Sequence, residues 1–146
     1  MVMRLKYLRA YYEFLDLITR DGRFLANVRH PEAGWRVGTR DLAKYLGVGK
    51  ARLTDFAIAC RLRGFAVDRV GDGVVIIRRE PLRALLQLLE RDSRGRLVVR
   101  MEFVREFEVN TGFDAMDLLR RAGYGVSIDG GYLVVAGSGG GDTPSN

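Results

Sequence analysis

The sequence predicts an α+β fold, mainly α with small β-hairpins, built from one supersecondary unit used twice. Three observations predict it. Residues 39–79 have the order helix, tight turn, helix, hairpin. Gly71-Asp72-Gly73 and Asp129-Gly130 mark hairpin turns, where residues tolerating positive φ are needed. From Pro81 onward the apolar and glycine pattern of the first half starts again.

Residues 4–19 predict the first helix, since Leu5, Leu8, Tyr11, Tyr12, Leu15 and Ile18 follow helical spacing. Val2, Tyr7, Phe14 and Leu17 add apolar surface elsewhere, so the helix needs cover on more than one side. Two coverings fit: packing against the second half of the chain, or a dimer contact. Asp21–Ala33 is irregular and holds the single histidine, His30, beside Pro31; with no Cys or acidic cluster nearby it predicts no metal site. Gly34–Val37 predicts a short strand pairing with the hairpin. Its Trp35 either covers a core edge or stacks on a base or a partner.

Leu42, Ala43 and Leu46 give the next helix one apolar face. Thr39 is placed to cap it and Gly47 to end it in the left-handed conformation. A second helix, Ala51–Arg63, carries Leu53, Phe56, Ala57 and Cys60 on one face and stops at Gly64. Phe65–Val70 and Val74–Arg78 are the hairpin strands.

The segment Leu46-Gly47-Val48-Gly49-Lys50 through Gly64-Phe65, with its hairpin, resembles the winged helix-turn-helix family of DNA-binding proteins of bacterial and archaeal regulators. The resemblance implies that the helix Ala51–Arg63 lies in the major groove. It marks Gly49, Lys50, Ala51, Arg52 and Thr54 as nucleic-acid contacts, with Asp55 and Ile58 on the same outward face. Arg40, Arg69 and Arg78 are placed to neutralise phosphates. Three features depart from the family pattern: Ile58 and Ala59 stand where polar side chains are common, Asp55 repels phosphate, and Asp72 forms the wing tip.

The repeat gives the domain organisation. Leu82-Arg83-Ala84 echoes Leu8-Arg9-Ala10. Gly34, Val37, Leu42, Ala43, Leu46 and Val48 match Gly95, Val98, Phe103, Val104, Phe107 and Val109 at one shift of 61. TGFDAMDLLRRAGY then supplies a second helix two residues shorter than the first, and GVSIDGGYLVVA a second hairpin. The expectation is two tandem winged helix-turn-helix domains, 1–79 and 80–136. The Gly/Ser-rich tail 137–146 is expected to be disordered. Only Arg79 and Glu80 link the two units, which predicts a fixed relation between them.

Charge separates the halves. Residues 1–80 hold 16 Lys/Arg against 9 Asp/Glu, a balance of +7; residues 81–146 hold 8 against 9, a balance of −1. That asymmetry points to an anionic partner for the first half only. In the second half Asp114, Asp117 and Asp129 oppose a phosphate backbone, and Arg120 and Arg121 suit a helix end without DNA. No Ser/His/Asp or Cys/His set and no phosphate-cradling loop stands out, so no enzyme activity, cofactor or metal is expected. No apolar run is long enough for a membrane span, MVMRLKYLRAYYEF lacks the features of a secretory signal, and the single Cys60 fits a reducing cytoplasm. Arginine supplies 21 of the 24 basic residues, a bias of thermophiles and of GC-rich genomes. Two functions survive. One is a transcriptional regulator gripping double-stranded DNA with the first domain, its second domain and N-terminal helix available to a homodimer or protein partner. The other is a non-catalytic assembly module.

Overall fold

The computed structural model describes residues 8–20, 34–49 and 52–138. The architecture is mixed α+β, with helices packed on two antiparallel sheets. The first half runs α1 (Arg9–Arg20), β1 (Trp35–Gly38), α2 (Thr39–Leu46), α3 (Leu53–Leu62), β2 (Phe65–Gly71) and β3 (Val74–Arg79). The second runs α4 (Pro81–Gln87), β4 (Glu90–Arg91), β5 (Leu97–Arg100), α5 (Met101–Thr111), α6 (Ala115–Arg121), β6 (Tyr124–Asp129) and β7 (Tyr132–Ser138). Positions 4–7 of the expected first helix, the irregular stretch with His30, and tail positions 139–146 lie outside the described residues. Gly137 and Ser138, assigned to the tail from sequence, instead end β7, where Ser138 pairs with Tyr124.

The sheets are ordered β1-β3-β2 and β4-β5-β7-β6. Strand, helix, helix and hairpin therefore recur in one order, and the same backbone bond closes each unit. The Thr39 N–H donates to the Gly73 carbonyl at 2.8 Å, and the Met101 N–H to the Gly131 carbonyl at 2.8 Å. The ladders pair Val37 with Val75 and Val99 with Leu133, which equates Val37 with Val99 at a shift of 62. This corrects the shift of 61. Val98 and Val99 are both buried, so apolar pattern alone leaves the register open, and the hydrogen bonds decide it. On α5, Val104 rather than Phe103 then takes the buried place of Leu42.

Local chemistry departs from expectation at Thr39 and at α6, and adds a turn after α4. Thr39 does not cap α2: Gly38 is the N-cap, without a side-chain bond, and the Thr39 hydroxyl donates to the Gly73 carbonyl at 2.8 Å. That ties the helix to the hairpin tip. Helix α4 stops at Gln87 and the short strand β4 follows; beyond it the Asp92 carboxylate accepts from the Arg94 and Arg96 N–H groups and folds the chain into a turn at Gly95 that leads into β5. Helix α6 has 7 residues against 10 in α3, three fewer rather than two.

Two cores form, and α3 belongs to both. Phe56, Ala57 and Cys60 join Phe14, Leu42, Trp35 and Ile77 in the first core. Ala59 and Leu62 are fully buried in the second with Phe107, Leu119 and Leu133, and Ile58 packs against it. The expectation that Ile58 and Ala59 face outward is overturned, since each residue turns about 100° on a helix and these two point at the second half. Trp35 covers a core edge, its ring 5.8 Å from that of Phe65.

The first helix has its second covering within the same chain. Leu8 is buried in the second core. The Tyr12 hydroxyl donates to Glu106 at 2.9 Å; the Asn110 amide donates to the Tyr12 oxygen at 3.2 Å and the Leu62 carbonyl at 3.0 Å. Burial and the Glu106 bond push the Tyr12 phenol pKa up. Arg63 lies 4.3 Å over the Tyr12 ring and donates to Asp16 at 2.8 Å.

Candidate nucleic-acid interface

The exposed part of α3 is its first turn, because the rest is clasped between the cores. Arg52 is the N-cap residue in extended conformation, and both it and Thr54 are exposed. Gly49 is exposed after the left-handed Gly47, and a Cβ there would meet nothing within 4 Å. Lys50 and Ala51 lie outside the described residues. Asp55 is half-buried beside Tyr11, whose pKa is raised by burial first and by the Asp55 charge second.

Strand alternation decides which hairpin cations can join this turn. Arg69 lies opposite Val75 and shares its sheet face with Val67 and Ile77, the face that α3 covers. Thr54, Ala57, Arg61 and Arg69 accordingly line one narrow cleft between α3 and β2. Arg78 lies opposite Ala66 on the other face, where it donates to Asp68 at 3.0 Å. Asp68 is also bonded by Arg83 of α4. The structure separates Arg78 from Arg69: one residue of register turns it away from α3 and into a bond with Asp68. Arg40 lies apart from the cleft, in a groove between the start of α2 and the hairpin tip, with Arg36, Asp41 and Asp72. Arg36 was not singled out from sequence, although its place between buried Trp35 and Val37 on a strand marks it as outward.

Several first-half cations are engaged. Arg61 donates to the Gln87 amide oxygen at 3.2 Å, and burial lowers its pKa. Arg63 holds Asp16, Arg78 holds Asp68, and Arg79 lies 4.6 Å over the Phe65 ring. By contrast, the exposed side chains of Arg40, Arg52 and Arg69 make no hydrogen bond or ion pair with any described residue. Among the described residues they have no ion pair to break before meeting an anion.

The second half replaces every member of this set. The shift of 62 sets Glu102 in place of Arg40, Asp114 in place of Arg52 and Met116 in place of Thr54. Asp114 spends its carboxylate on its own helix, accepting from the Asp117 N–H at 3.0 Å. Ile128, paired with Leu133, occupies the place that Arg69 holds opposite Val75. A scan against protein-family models, a search of curated proteins and a search of solved structures each return no match. Among the described residues no helix is long and apolar enough to cross a membrane.

Proposed function

We propose that the chain is a tandem winged helix-turn-helix protein that binds duplex DNA through its first half and serves as a transcriptional regulator. The observation that carries this reading is the exposed guanidinium groups of Arg52 and Arg69 with the hydroxyl of Thr54 at the first turn of α3, together with the exposed Arg40 in the groove between α2 and the hairpin tip, none of the three arginines paired among the described residues. In helix-turn-helix docking the N-terminal residues of the second helix meet base edges while neighbouring cations hold phosphates. Burial of the rest of α3 restricts base contacts to its first turn. Phosphate contacts dominate, so salt sensitivity outweighs sequence preference. The second half, with carboxylates and apolar groups at the matching positions, contacts protein.

Three neutralised phosphates give a log-affinity against log-salt slope of about −3 per chain, steeper if Lys50 contributes. Arg52→Glu with Arg69→Glu is expected to abolish duplex binding in a gel-shift at low salt. Arg120→Glu with Arg121→Glu changes net charge equally and is expected to leave binding nearly intact. Equal loss in both would reduce the effect to bulk charge. A parent protein that ignores duplex DNA at low salt would leave the assembly-module function in its place.

A further inference from the structure

Strands β2 and β6 occupy the same outer position in their sheets, but only β2 has its edge covered among the described residues. Gln87 of α4 lies against it like one residue of a further strand. Its amide oxygen accepts from the Val67 N–H at 2.8 Å and its amide nitrogen donates to the Val67 carbonyl at 3.1 Å. Val126 is the counterpart of Val67, since Val67 pairs with Ile77 and Val126 with Val135. Asp129 and Tyr132 close a two-residue hairpin and so exchange hydrogen bonds. Alternation along the ladder then turns the N–H and C=O groups of Ile128 and Val126 outward. No described residue bonds to them across that edge.

We propose that a second copy of this chain covers this edge, with β6 pairing antiparallel to β6 about a two-fold axis at Val126. The strand suits itself. Tyr124-Gly125-Val126-Ser127-Ile128 carries no charge and no proline, the devices that usually keep an open edge single. Centring the pair on Val126 lets the two Val126 residues exchange both backbone bonds. It also sets Tyr124 against Ile128 of the other copy, an aromatic and β-branched pair, and Gly125 against Ser127, with no like charges opposed over these five residues. Ile128 remains 55% exposed in the single chain, in a half whose α6 is three residues shorter than α3. The two four-stranded sheets become one continuous sheet, and the isologous contact closes after two copies. This assignment deepens the protein-contact role given to the second half and is independent of Arg52 and Arg69.

Sedimentation of the full chain without DNA, from micromolar to sub-millimolar concentration, tests it. The parent is expected to move from 16.4 kDa toward twice that mass. Val126→Pro, which removes an outward N–H, and Ile128→Lys, which adds a charge at the edge, are expected to stay monomeric with unchanged circular dichroism. Should Val126→Pro misfold, Ile128→Lys decides, together with hydrogen exchange at Val126 and Ile128, whose protection must rise with concentration. A parent that stays monomeric, a dimer that Ile128→Lys leaves intact, or edge amides that gain protection only from another protein's strand would each overturn the assignment. Because DNA is absent, none of these outcomes bears on duplex binding.

Discussion

Gln87, the single glutamine of the chain, shows how one side chain can settle the environment of a whole strand. Its amide satisfies both backbone groups of Val67 and accepts from the half-buried Arg61, so three polar groups depend on it. An unpaired polar group buried from water costs about 1–3 kcal/mol, more than an average hydrogen bond contributes. Gln87→Leu keeps the size of the side chain and loses all three bonds, and is expected to lower stability by about 2–4 kcal/mol in urea unfolding. Gln87→Glu keeps the acceptor and lacks the donor to the Val67 carbonyl, so it should fall between the two. Equal stability of parent and Gln87→Leu would mean that water replaces the amide at the strand edge. Nothing in the sequence marks this residue, because its partners lie in another element and its helix is short.

At the scale of elements, α3 explains both what the sequence made legible and what it hid. Its stop before Gly64, the left-handed Gly47 before it and the hairpin after it follow from spacing and turn chemistry, which are local; its start does not, since the helix expected from Ala51 begins at Leu53 with Arg52 as an extended N-cap. Its first apolar face is legible for the same reason, and Cys60 lies on it, fully buried. The second face was not: Ile58 and Ala59 look like an outward stripe until the second half is brought against them. Arg78 shows the same limit, since composition places a cation beside the hairpin but only register selects its face. In the second half the uncommitted set around α3 was legible only as missing charge, because Met116 and Ile128 acquire meaning by equivalence with Thr54 and Arg69. Leu62→Ala tests the two-sided packing. The residue ends a first-half helix yet is fully buried in the second core, so the expected loss is about 2–5 kcal/mol by denaturant unfolding. A loss within a few tenths would show that the contact between the halves is loose.

For the molecule as a whole, sharing of α1 and α3 between the cores predicts that the halves unfold together. Leu8, Ala59 and Leu62 leave the second core if the first half melts, and Gln87 leaves the β2 edge if the second half melts. Each half therefore removes buried contacts from the other, the condition for one cooperative transition. The chain carries its own reporter, because the single Trp35 sits in the first core and packs on Phe65. Leu119 is fully buried in the second core, on α6. Leu119→Ala is expected to cost about 2–5 kcal/mol through the lost burial and the cavity left behind. In a cooperative molecule the Trp35 fluorescence midpoint in urea must then fall as far as the far-UV midpoint, although the substitution lies in the other core. A Trp35 midpoint that stays at its parental value while the far-UV signal melts earlier would mean that the halves are stable separately. The tyrosine–glutamate–asparagine contacts between α1 and α5 would then join two independent units. Coincident shifts would instead mean that the exposed arginines of the first half and the open strand of the second are held in one fixed geometry, so that pairing through β6 would set the spacing between two basic faces.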